Sequence, residues 1–108
     1  MHLSLNHKLI PIIEANTFSK RLVGLIGKKE IDFGMFFPKC NSIHTYLMKE
    51  EIDVLGLNEK NEIIFIERNL EKNKIIKINR SIKKTSILEL PKNTSEGLKL
   101  GMKIDFIL

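Results

Sequence analysis

The sequence predicts a mainly β fold with one or two short helices, a compact antiparallel or mixed β-barrel-like or sandwich single domain. Three observations lead there. Short apolar runs rich in β-branched residues recur between polar turns, the mark of strands. One early segment carries a helical apolar period instead. The 108 residues hold no internal repeat, low-complexity tract or Pro/Gly/Ser linker, so 1–108 reads as one domain with one core. Nine short runs and one or two helices suit a small barrel or sandwich with helical decoration.

Residues 3–5 and 8–13 form the first predicted hairpin, turning at Asn6 and His7. Pro11 has no N–H for a ladder and holds one side of it to an edge position. The helix begins at Asn16 or Thr17, whose side-chain oxygen accepts from an orphan backbone N–H. Phe18, Leu22, Leu25 and Ile26 then recur at i, i+4, i+7 and i+8 as one apolar stripe. Gly27 supplies a left-handed end, and Lys28 and Lys29 suit the negative pole of the helix dipole. Strands resume at 34–37, closed by Pro38. The runs 43–48 and 52–58 flank Lys49-Glu50-Glu51, a predicted hairpin loop. Further strands are predicted at 62–68, 74–80, 85–90 and 103–108, each bounded by Asn, Lys or Gly. Residues 95–100 read as one helical turn or a wide loop.

Composition narrows the function classes. The chain is 43% hydrophobic and 29% charged, which fits a globular protein and excludes a disordered one. A single Cys excludes an internal disulfide framework, and one thiol with three His cannot build a Cys-rich zinc site. No apolar run approaches the roughly 20 residues of a membrane span, and MHLSLNHK lacks the apolar segment of a signal peptide. A soluble, cytoplasmic domain is expected. The net charge of +5 permits anionic partners, but Lys outnumbers Arg fifteen to three, and Gln and Trp are absent. That bias looks like AT-rich coding, which accounts for much of the Lys excess. Sequences of the form GxSxG, GxxxxGK, GxGxxG and HExxH are missing, so no familiar hydrolase, nucleotide or zinc-protease signature is present. No metal site and no cofactor are predicted.

The stretches ANTFSKRLVGLIG, GMFFP, CNSIHTYLMKEEIDVLGL and ILELPKNTSEGLKLGMKI, in this order, resemble domain of unknown function family 192, also called uncharacterised protein family 0127. The resemblance covers about residues 15–104. Its matched positions include Arg21, Gly34, His44, Thr45, Met48, Asp53, Glu89 and Gly101. Two positions depart from the family pattern, Asn93 where Gly is usual nearby and Met102 where Asp is usual. The second removes the acidic group expected beside Gly101. The resemblance implies a small mostly-β domain and no agreed activity, substrate or cofactor.

Polar residues embedded in the strands mark the candidate site. With Glu50 at the centre of the 43–57 hairpin, Met48 faces Ile52, Tyr46 faces Val54 and His44 faces Gly56. Period-2 alternation then puts Thr45 and Asp53 on one apolar face with Ile43, Leu47, Leu55 and Leu57. A carboxylate there needs a partner. Thr45 can donate to it, and Arg21 offers a matching fork. Such a set builds either a polar pocket or a buried ion pair locking helix to sheet. His44, on the other face with Met48, has space over its imidazole from Gly56. It is either an acid, base or ligand, or a core-edge His satisfied by a backbone carbonyl. Cys40 and His44 are four apart, about 13 Å along an extended strand, too far to share a metal or act as nucleophile and base unless the chain after Pro38 curls. Glu89 alternates with Leu88 and Leu90 and points away from the face they bury, so a solvated Glu is expected, with a pocket role as the alternative. Between Lys72 and Lys84 run Lys72, Lys74, Lys77, Arg80, Lys83 and Lys84 with no acid. This run suits phosphate contact or a protected sheet edge, and lacks aromatics to stack a base.

The leading expectation is a non-catalytic ligand- or partner-binding accessory module. Its polar pocket lies near the 43–57 hairpin, with Arg21, His44, Thr45, Met48, Asp53 and Glu89 as ligand-binding residues. The alternative is a small hydrolase-like enzyme using His44 with Asp53 or Cys40. A nucleic-acid contact through 72–84 comes third.

Overall fold

A computed structural model describes residues 1–15, 32–44, 50–71, 74–78 and 84–108, with the backbone alone for His44. Asn6 and His7 turn the first hairpin with φ of 49° and 63°, both left-handed, as a two-residue turn between twisted strands requires. It joins β1 (His2–Leu5) to β2 (Lys8–Glu14), Leu5 opposite Lys8. Next, β3 (Gly34–Phe37) runs parallel to β2 from the pair Ile12/Gly34. That pairing starts one residue after Pro11, so the missing N–H falls outside the ladder.

Two short strands, β4 (Ser42–His44) and β7 (Ile75–Lys77), pair with each other as a separate ribbon. The longer strands β5 (Ile52–Leu57), β6 (Ile63–Leu70) and β8 (Ser86–Pro91) complete a six-stranded sheet in the order β1-β2-β3-β8-β5-β6. Every pairing is antiparallel except β2 with β3, so the sheet is mixed.

The sheet curls. Leu3, Ile10, Leu55, Ile63 and Leu88 come from strands across its full width, yet all belong to one buried cluster on one face. Residues 101–107 then reach both free edges. His2 and Ile107 exchange backbone hydrogen bonds of 2.7 and 2.8 Å, while Ile63 N–H donates to the Met102 carbonyl at 2.8 Å. This segment, with Ile104 buried beneath it, spans the gap of the half-barrel. The opposite face carries a second cluster of Met35, Phe37, Ile52, Val54 and Ile87, against which Ile43 and Ile76 of the ribbon pack.

One expectation, the 43–48/52–58 hairpin, needs correction. The predicted helix from residue 16 or 17 to 27 lies outside the described residues, and no helix occurs among those described. Residues 95–100 form isolated turns, closed by Leu98 N–H to the Ser95 carbonyl at 3.0 Å. The 43–48/52–58 hairpin does not form. Both edges of β5 are taken, by β6 and β8, and His44 stands opposite Ile75 rather than Gly56. The physical reason is burial: all six β5 residues are buried, so the strand needs a neighbour on each side and cover on each face. No helix among the described residues is long and apolar enough to cross a membrane.

Gly56 serves this packing. A Cβ there would stand 2.5 Å from Ile78 Cδ1 and 3.0 Å from Phe65 Cβ. Gly56→Ala is therefore expected to cost about 1–3 kcal/mol by overpacking, read from the urea midpoint. Adding Ile78→Val, which deletes the clashing methyl, is expected to restore part of the loss. Purely additive effects would show that Ile78 does not fill that space.

Candidate functional site

Two neighbouring interior strands, β5 and β8, carry one acid each inside otherwise apolar segments, IDVLGL and SILELP. Their registers separate them. Asp53 stands opposite Leu90 and shares the face of Leu55 and Leu57, whereas Glu89 stands opposite Val54 and Met35. The carboxyls therefore leave the sheet on opposite faces.

Asp53 is completely buried and fully partnered. Its Oδ1 accepts from Asn69 N–H at 2.9 Å, and Oδ2 accepts from Ser95 N–H at 3.0 Å and Ser95 Oγ–H at 2.5 Å. The first donor exists because β6 bulges. From Val54/Glu67 to Ile52/Leu70 the chain advances two residues in β5 and three in β6. Asn69 takes up the extra residue with φ of 53°, which turns its N–H toward Asp53. Ser95 is itself held, since its carbonyl accepts from Arg68 Nη2 at 3.3 Å. Three donors offset the desolvation of the carboxylate and bind β5, β6 and the 95–100 loop together.

Glu89 has the opposite surroundings. It is 5% exposed, its neighbours on that face are Met35, Phe37, Val54 and Ile87, and Oε1 has no hydrogen-bond partner among the described residues. Burial pushes its pKa from an ordinary 4.5 up to about 8, so the group is a neutral acid near pH 7. The expected solvated Glu is thus a buried one. Alternation correctly turned it away from Leu88 and Leu90, but β8 lies mid-sheet, where both faces are covered.

Of the other expected site residues, Arg21, Thr45 and Met48 lie outside the described residues, and His44 is described by its place at the end of β4. Cys40 is half-buried against the cluster on the Glu89 face, and its Sγ–H donates to the Ser42 carbonyl at 3.2 Å. Among the described residues no group of three or more His, Cys, Asp or Glu is placed to hold a metal. Within the basic run, Lys84 Nζ meets Glu59 at 3.3 Å, and Lys72, Arg80 and Lys83 lie outside the described residues. Sequence reasoning missed Ser95 and Asn69, because nothing local marks a loop Ser or a bulge Asn as partners of a carboxylate 42 and 16 residues away.

The model of the family described as uncharacterized ACR, DUF192, matches residues 2–106. The chain belongs to the DUF192 family. No curated protein matches it. Two solved structures share the fold of this DUF192 domain. One, a protein of unknown function from Novosphingobium aromaticivorans DSM 12444, is 16% identical with a TM-score of 0.77, over 97% of this chain and 82% of that one. The other, from Sinorhizobium meliloti 1021, is described as a "putative transcription regulator". It is 20% identical with a TM-score of 0.78, over 96% of this chain and 89% of that one.

Two predictions follow from the two acids. Unfolded, Glu89 loses its proton near pH 4.5; folded, it keeps it to about pH 8. Between these values the folded state binds more protons, so stability falls as pH rises. The contribution is full below about 4.5 and gone above about 8, on the order of 5 kcal/mol at most. Glu89→Gln is expected to flatten that slope in urea midpoints taken from pH 5 to 8.5; an unchanged slope would locate the pH dependence elsewhere. Asp53→Asn keeps one acceptor oxygen and sets an NH2 against a backbone donor, with an expected loss of about 2–4 kcal/mol. Ser95→Ala removes only the hydroxyl bond, and about 1.5–3 kcal/mol is expected in the same assay.

Proposed function

We propose that this DUF192 domain is a non-catalytic binding module that recognises a small ligand or partner segment through the neutral carboxyl of Glu89. One observation carries this reading: a buried acid on an apolar sheet face with an oxygen that has no partner among the described residues. A protonated carboxyl both donates and accepts, so it suits a carbonyl, amide or hydroxyl rather than a cation. Arg21, His44, Thr45 and Met48, matched positions of the family resemblance, are proposed to complete the site. Asp53, engaged on the other face by three donors, belongs in this reading to the frame.

The hydrolase-like alternative has less support. Both Asp53 oxygens are occupied, and the Cys40 thiol is directed to the Ser42 carbonyl. The Sinorhizobium neighbour's description raises nucleic-acid binding through 72–84, but a likeness at 20% identity extends to the fold alone.

The test is a thermal-shift screen of metals, nucleotides and common metabolites on wild type, Glu89→Gln and Ser95→Ala. A ligand at a hundred times its Kd adds about 2.7 kcal/mol, several degrees in a domain this small. The expected result is a shift present in wild type and Ser95→Ala, absent in Glu89→Gln, and weaker above pH 8. Shifts that survive Glu89→Gln unchanged would remove Glu89 from the site.

A further inference from the structure

A concavity lies beside the edge strand β6. The edge of β6 at Ile64, Phe65 and Ile66 lines one side of an open groove of about 770 Å³, and Leu98 and Leu100 line the other. That volume falls within the range of small-molecule sites. Leu100 is 65% exposed, a large apolar side chain left on the rim.

The polar end of the groove is cationic. Arg68 and Lys99 line it and no acid does. Glu67 and Glu96 are close in the chain but outside the lining. Among the described residues the ion pair formed is Lys84 with Glu59, so neither groove cation has a carboxylate partner. The guanidinium is also fixed. Arg68 Nη2 donates to the Leu98 carbonyl at 2.6 Å and to the Ser95 carbonyl at 3.3 Å. Those two bonds occupy Nη2, the nitrogen shared by both bidentate edges, and leave Nε–H and Nη1 to donate singly to an anion.

The loop opposite β6 is held in place before any ligand arrives. Ser95 is anchored by Asp53, the Glu96 carbonyl accepts from Asn6 Nδ2 at 3.2 Å, and Gly101 N–H donates to the Ile63 carbonyl at 2.8 Å. Between these points Gly97 turns with φ of 88°, a conformation suited to glycine. Two walls fixed at both ends make a groove that forms without an ordering cost.

We propose that the groove between β6 and the 97–100 loop binds an amphipathic monocarboxylate, its apolar chain on Ile64, Phe65, Ile66, Leu98 and Leu100 and its carboxylate on Arg68 and Lys99. The positive end selects the anion and the apolar walls select the tail. A simple inorganic anion lacks the tail, and an alcohol of the same length lacks the charge-assisted bonds.

The probes are decanoate, decanol and decylamine, titrated into the full 15N-labelled chain and followed by amide shifts. Decanoate is expected to move the amides of 64–68 and 97–100 saturably. Decanol is expected to bind about tenfold more weakly, equivalent to about 1.4 kcal/mol, and decylamine not at all. Lys99→Glu and Leu100→Asp alter exposed side chains and should each weaken decanoate while leaving the melting temperature within a few degrees. Glu89→Gln should leave decanoate binding unchanged, which separates this site from the one proposed above. Decanol binding as tightly as decanoate, or shifts spread away from the groove, would overturn the assignment. A short apolar peptide with a free C-terminal carboxylate binding where decanoate does not would also overturn it, in favour of a protein partner. Concentration-dependent broadening of the β6 amides without ligand would overturn it in favour of a second copy.

Discussion

The Asp53 carboxylate is the tie on which the described part of this domain depends. It is completely buried on an interior strand, and its donors come from a strand bulge and from a loop far along the chain. Without them a charge would lie bare in an apolar interior, so strand, bulge and loop are mutually required. The loop then delivers residues 101–107 to both edges of the curled sheet, where backbone hydrogen bonds bridge the opening. One side chain thus connects the middle of the sheet to the closure of its rim.

The same sheet treats its second acid in the contrary way. Glu89 lies one register step from Asp53 across the β5–β8 ladder but faces the other cluster, where the described neighbours are apolar. Satisfying one carboxylate stabilises the fold, while the other is a buried acid whose described surroundings are apolar. Buried polar groups without partners are rare in native structures, and Glu89 Oε1 has none among the described residues.

Much of the fold was legible in the chain because strands announce themselves locally. The hairpin at Asn6-His7, the strand at Gly34–Phe37 and the runs near β5, β6 and β8 follow from alternation and turn chemistry. Partner choice was not legible. Neighbouring runs 43–48 and 52–58 suggested a hairpin, yet β5 takes β6 and β8, a selection made by total burial rather than by the intervening loop. The run IDVLGL did carry a warning, since apolar residues at both parities mark a strand covered on each face. Asp53 and Glu89 were both picked out as polar intrusions, but their roles depended on Ser95 and on a bulge that no spacing encodes.

The strand order has a kinetic meaning. β8 lies between β3 and β5, so Phe37 and Ile87, fifty residues apart in sequence, are side-by-side partners. Until it inserts, the chain consists of two unconnected fragments, β1-β2-β3 and β5-β6, each with an unsatisfied edge. The insertion closes long loops before its contacts reward them, and topologies of this kind belong among the slower folders for their length. β8 acts as a keystone, and the interval before it is set is when the domain is most open to pairing with the wrong strand.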